Sequence, residues 1–94
     1  MVDLVKSRRD EILSIAQRHG VTRVRVFGSM ARGDAGPTSD LDLLVDVGPS
    51  TSAWFPGGLA AELEAMLGLP VQIVTERGLD QLLRDRILKE AVAL

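Results

Sequence analysis

The apolar positions change their period along the chain, and each period marks an element. Over residues 3–19 the side chains of Leu4, Val5, Ile12, Ile15 and Ala16 follow a partial helical spacing and Gly20 supplies a stop, which predicts a first helix. Val21 to Phe27 (VTRVRVF) interleaves β-branched residues with arginine and ends at Gly28, as expected of a half-buried strand running into a tight turn. Ser29 is placed to N-cap a short helix through Arg32. Asp34, Ala35, Gly36, Pro37 and Thr38 are turn chemistry, and Asp40 to Val47 (DLDLLVDV) predicts a second strand. Its odd positions, Leu41, Leu43, Val45 and Val47, form one apolar face.

Residues 48–58 (GPSTSAWFPGG) predict a loop, after which Leu59, Leu63, Met66 and Leu67 mark a helix closed by Gly68. Pro70 to Thr75 (PVQIVT) predicts a third strand. Leu79, Leu82, Leu83, Ile87 and Ala91 share one face at offsets of three and four and predict a last helix. The expected order is α-β-α-β-α-β-α: an α/β (α+β) fold with a small mixed β-sheet flanked by helices, in a single domain over residues 1–94, without repeat or linker.

Composition removes several classes of function. A hydrophobic fraction of 46% with 26% charged residues is that of a globular chain. Net charge is -2 and the basic residues are scattered, so no footprint for a duplex nucleic acid is visible. Without cysteine, and with His19 as its one histidine, the chain offers no disulfide framework and no zinc site. The charged segment Met1 to Asp10 lacks the apolar stretch of a signal peptide, and no run reaches membrane-spanning length, so a cytoplasmic location without membrane contact is expected. A domain this small gains from burying surface against a partner or a second copy of itself.

The candidate chemistry lies at the ends of the first two strands. Side chains alternate along a strand, so Asp40 and Asp42 point to one face with Cα atoms roughly 6.5 to 7 Å apart. Such a pair suits Mg²⁺, which binds through one or two carboxylates and takes its remaining ligands from phosphates and water. Gly28-Ser29 supplies the matching phosphate element, a strand running into glycine with backbone N–H groups and a hydroxyl at the start of a helix.

Together Gly28-Ser29, Ala31-Arg32-Gly33 and Ser39-Asp40-Leu41-Asp42 reproduce the pattern G-S-x-A-x-G…S-D-x-D. The chain thereby resembles the polymerase-β-type nucleotidyltransferase superfamily in its minimal bacterial and archaeal form, the MNT domains. The likeness runs from the first helix to the ending Leu82 to Leu94 (LLRDRILKEAVAL), which is similar to the terminal helix of MNT antitoxins. It implies that Asp40 and Asp42 are catalytic metal ligands, and that Gly28 and Ser29 hold the triphosphate of ATP, with Arg32 and Ser39 as further nucleotide contacts. It also implies a HEPN-type toxin as partner, inside a toxin–antitoxin pair, and AMP transfer to that partner.

One position departs from the family. The third carboxylate belongs on the strand after the third helix, and Gln72 occupies its place. A glutamine offers a carbonyl oxygen to a cation but neither charge nor basicity. Glu76 and Asp46 each lie four residues along a strand from the positions of interest, about 13 Å away, and do not substitute. Two functions therefore stand side by side: an active protein adenylyltransferase of reduced rate, and a weakened nucleotide- or toxin-binding module that acts by contact. Trp54 and Phe55 could stack on a base or anchor a partner, and the favoured reading has them lid the core. His19 is expected to complement the dipole of the first helix and is given no chemistry.

Overall fold

The computed structural model describes residues 3–36 and 38–94; Pro37 of the expected turn lies outside them, as do Met1 and Val2. Alternation in the sequence becomes three strands, β1 (Val21–Phe27), β2 (Leu41–Val47) and β3 (Val71–Thr75). They join a short β4 (Val92–Ala93) in a mixed sheet of order β3-β2-β1-β4. β1 and β2 are antiparallel, from Val21 opposite Val47 to Phe27 opposite Asp42. β2 and β3 are parallel, with Leu41 beside Val71 and Asp42 beside Gln72. A parallel neighbour needs a crossover, and the helix α4 (Gly57–Leu67) provides it.

One face of this sheet is closed by helices. α2 (Arg9–Arg18) turns Ile12, Ile15 and Ala16 inward, and α4 does the same with Leu59, Leu63 and Leu67. They meet Val24 and Val26 of β1 and Leu41, Leu43 and Val45 of β2, in a core that also takes Val5. Each fully buried aliphatic side chain here contributes about 1.5–3 kcal/mol. Val47, expected on this face, is exposed at the end of its strand.

Three elements differ from expectation. The first helix is two, α1 (Asp3–Ser7) and α2, separated at Arg8 with φ -106° and ψ 15°. Lys6 to Glu11 contains no apolar side chain, so nothing there is held against the core, and Arg8 pairs instead with Glu11 at 2.7 Å. The last helix, α5 (Gln81–Glu90), is shorter than expected: Leu79 precedes it, Asp80 caps it by accepting from the Leu82 N–H at 2.9 Å, and Ala91 is extended. β4 was not foreseen, because two residues carry no period; it pairs antiparallel with β1, Ala93 opposite Arg25 and Val92 opposite Val26.

The long loop is fastened by the residue that was given no chemistry. His19 Nδ1 lies 2.6 Å from Ser52 Oγ, and its Nε2 lies 3.0 Å from Glu62 Oε1, joining the end of α2 to the loop and to α4. That hydrogen bond holds the Glu62 carboxyl below its ordinary range. Of the two loop aromatics Phe55 packs against the core, whereas Trp54 is 82% exposed and lids nothing. Among the described residues no helix is long and apolar enough to cross a membrane.

Candidate active site

The second face of the sheet carries the polar parity of the same strands. Phe27 closes β1 opposite Asp42, and the chain then turns at Gly28 with φ 75° and ψ -157°. That left-handed backbone favours glycine, and a Cβ at Gly28 would collide with the Asp42 carboxylate. Glycine is thus required for two independent reasons. The short helix α3 (Ser29–Arg32) follows, and its N-cap is Gly28, not Ser29 as expected. The Gly28 carbonyl accepts from the Ala31 and Arg32 N–H groups, both at 3.1 Å, so Ser29 is already the first helical residue and its hydroxyl has no capping role.

Asp42 stands on β2, half-buried, with Asp40 two residues earlier at the exposed entry to the strand. Burial pushes the Asp42 carboxyl above its ordinary range, and the negative charges of Asp40 and Glu90 add to this against an opposing pull from Arg32. Gln72 is the β3 neighbour of Asp42, one strand spacing or about 4.8 Å away. The position inferred for a third acid is therefore adjacent to Asp42 in space, and it holds an exposed amide. Asp46 and Glu76 are engaged elsewhere, with Arg25 at 3.4 Å and Arg84 at 3.0 Å.

Two further expected contacts fare differently. Arg32 reaches the site: its guanidinium donates to Asp34 at 3.2 Å and to both Glu90 oxygens at 3.3 Å. Ser39 is spent on its own turn, its hydroxyl accepting from the Gly36 N–H at 2.8 Å. Glu90 itself is a residue that sequence reasoning missed. Its Oε1 accepts from the Gly28 N–H at 2.7 Å, across 62 positions of chain. A signal for it existed: an acid in the last turn of a helix is disfavoured by the helix dipole and calls for some compensating partner.

Phe27, Gly28, Asp42, Ile87 and Glu90 border an open cleft of about 330 Å³ between the sheet and α5. A larger depression of about 550 Å³ lies at the other end of β1, around Gly20, Thr22 and Gly48, and has no acid in its wall. Among the described residues no three or more His, Cys, Asp and Glu side chains gather as a metal-binding group. An ion in the cleft would rest on Asp40 and Asp42 and take its other ligands from substrate and water, the habit of Mg²⁺. The crowding felt by Asp42 fits this, since a cation would relieve the repulsion between neighbouring acids.

A mixed sheet with a glycine turn facing paired aspartates is the pattern of a nucleotidyltransferase-type domain. The profile of the nucleotidyltransferase domain family matches residues 9–94, and the chain belongs to that family. It is 44% identical over 82 residues to a Methanocaldococcus jannaschii protein provisionally named as the protein adenylyltransferase MJ0435, covering 87% of this chain and 88% of the relative. It is 38% identical over 78 residues to the protein adenylyltransferase MntA of Thermococcus cleftensis, covering 83% and 79%. A solved structure provisionally assigned as a minimal nucleotidyltransferase superposes with a TM-score of 0.84 at 47% identity, over 99% of this chain and 97% of that one. A toxin–antitoxin structure with AMP-PNP shares the fold, with a TM-score of 0.75 at 20% identity over 89% of this chain and 69% of that one.

Proposed function

We propose that this chain is a magnesium-dependent adenylyltransferase that moves AMP from ATP to a protein partner, acting as the antitoxin of a HEPN/MNT pair in the cytoplasm. The observation that carries the proposal is the convergence of Gly28 and Asp42 at the closing rung of β1 and β2, with Asp40 and Arg32 beside them. The Gly28 N–H, the Ser29 hydroxyl and Arg32 receive the oxygens of the triphosphate. Asp40 and Asp42 would hold magnesium, which would neutralise charge on the phosphates during in-line displacement. An acceptor hydroxyl of the partner gives up its proton to water and attacks the α-phosphorus, the bond from that phosphorus to the α,β-bridging oxygen breaks, and pyrophosphate leaves. Adenine and a protein acceptor are supported by the names of the relatives, and the HEPN-type toxin by the resemblance in motif.

A second reading keeps the nucleotide site and gives up the rate. Gln72 beside Asp42 supports it, since the site then lacks one charge that a second ion needs. Calorimetry with ATP tests what the readings share: binding in magnesium that vanishes with chelator, and that Asp42→Asn weakens at least tenfold. Label transfer from ATP to the cognate toxin separates them. Gln72→Asp is expected to raise the transfer rate, with Asp40→Ala as the blank. A natural form that is already fast and indifferent to Gln72→Asp excludes the weakened reading.

A further inference from the structure

We propose that Glu90 is a built-in competitor for the triphosphate, a carboxylate on α5 that occupies the phosphate cradle and must be displaced, together with the end of its helix, before substrate can enter. This rests on the reading of Gly28 as a triphosphate-binding turn and adds regulation to that site.

The occupancy is direct. Glu90 Oε1 takes the Gly28 N–H at 2.7 Å, the donor a phosphate oxygen would need, and Arg32 Nη1 lies 3.3 Å from each Glu90 oxygen. The Glu90 side chain is only 17% exposed, so the contact is a seated one. A planar carboxylate here imitates two oxygens of a phosphate group.

Its seat is also one from which it can be dislodged. Glu90 is the last residue of α5, where the helix dipole repels an anion, and it borders the same cleft as Asp42. A triphosphate brings more charge to Gly28 and Arg32, and its bound cation would remove the repulsion from Asp42. α5 buries no residue fully, and its ion pairs among the described residues are Arg32 with Glu90 and Arg84 with Glu76. Extended residues flank it, Asp80 at ψ 131° and Ala91 at ψ 132°. Ala91 is followed by the two-residue strand β4, and the Leu94 N–H donates to the Val24 carbonyl at 3.1 Å. Withdrawal of Glu90 therefore pulls on β4, and the Leu94 amide reports it.

The test titrates inorganic tripolyphosphate and ATP, in magnesium buffer, into the natural chain, Glu90→Gln and Glu90→Asp. Gln removes the charge and Asp the reach, so both are expected to bind roughly three- to tenfold more tightly. In the natural chain, tripolyphosphate should accelerate hydrogen exchange at the Leu94 amide, a reading that depends on no variant. Variants that bind no tighter, or more weakly, than the natural chain make Glu90 a bystander or a ligand and overturn the proposal, as does a Leu94 amide whose exchange ignores saturating tripolyphosphate. If neither ligand binds any of the three proteins, the cradle reading falls and this proposal with it; binding without the Glu90 effect leaves the cradle standing and removes the competitor alone.

Discussion

α4 and α5 are helices of nearly equal length, 11 and 10 residues, each with apolar side chains four positions apart, Leu59, Leu63 and Leu67 in α4 and Leu83 and Ile87 in α5. α4 buries Leu59, Leu63 and Leu67, whereas α5 leaves Leu82 at 91% and Leu83 at 48% exposure. The difference lies in the sheet face beneath them. α4 covers the parity of Leu41, Leu43 and Val45, an unbroken apolar row. α5 stands over the parity in which Asp42 and Asp46 interrupt Leu44, with Gln72 alongside. One face holds the molecule together, and the other keeps polar and charged groups at the expense of packing. Periodicity identifies a helix; it does not say that the chain itself will cover that helix.

The comparison breaks most visibly if α4 is dispensable. Leu63→Ala should cost about 2–5 kcal/mol in urea unfolding, since a fully buried side chain leaves a cavity. A loss below about 1 kcal/mol would mean that the two helices do not differ in kind.

Asp42→Asn sharpens it on the open face. The folded state raises the Asp42 carboxyl above its ordinary range, chiefly by burial and then by Asp40 and Glu90. Because the fold binds that proton more tightly than the unfolded chain, the charged form destabilises it above the raised value. The penalty is relieved as pH falls through that value and is gone below the unfolded one. Asp42→Asn should therefore melt a few degrees higher than the natural chain at pH 7 in chelator. The gap should close as the buffer is taken toward pH 4. Melting curves that coincide at pH 7 would show that the acids are not crowded.

The smallest effect expected is on Leu82→Glu, which should leave unfolding within about 0.5 kcal/mol of the natural chain, since Leu82 is already in water. If α5 offers its apolar face to the proposed toxin, the same change should lower co-purification of that partner. A clear loss of stability would place Leu82 in a contact with a second copy.

Much of this was legible from the residues. Strands were, because alternation of apolar side chains survives wherever one face is covered, and so were the turn glycine and the two aspartates. The place of Gln72 was implied by the family resemblance, and it proved adjacent to Asp42. Ser29 was misjudged because capping preferences say nothing of a glycine whose own φ of 75° lets it close the helix start. The split at Arg8 lay open in a run of six polar residues that a spacing count passed over. Glu90 was out of reach for a different reason: its partner is 62 residues distant and its neighbour β4 is too short to show a period.

The pairing of Phe27 with Asp42 has a kinetic side. It is the last rung of the β1–β2 ladder, beyond which the chain departs into residues 28–40, and end rungs are where ladders fray. Opening of this rung would separate the glycine turn from the acid opposite it. A ligand that touches both sides would act as a clasp where the hairpin meets its connecting loop, and the slowest-exchanging amides of the bound protein should extend to that end of the sheet.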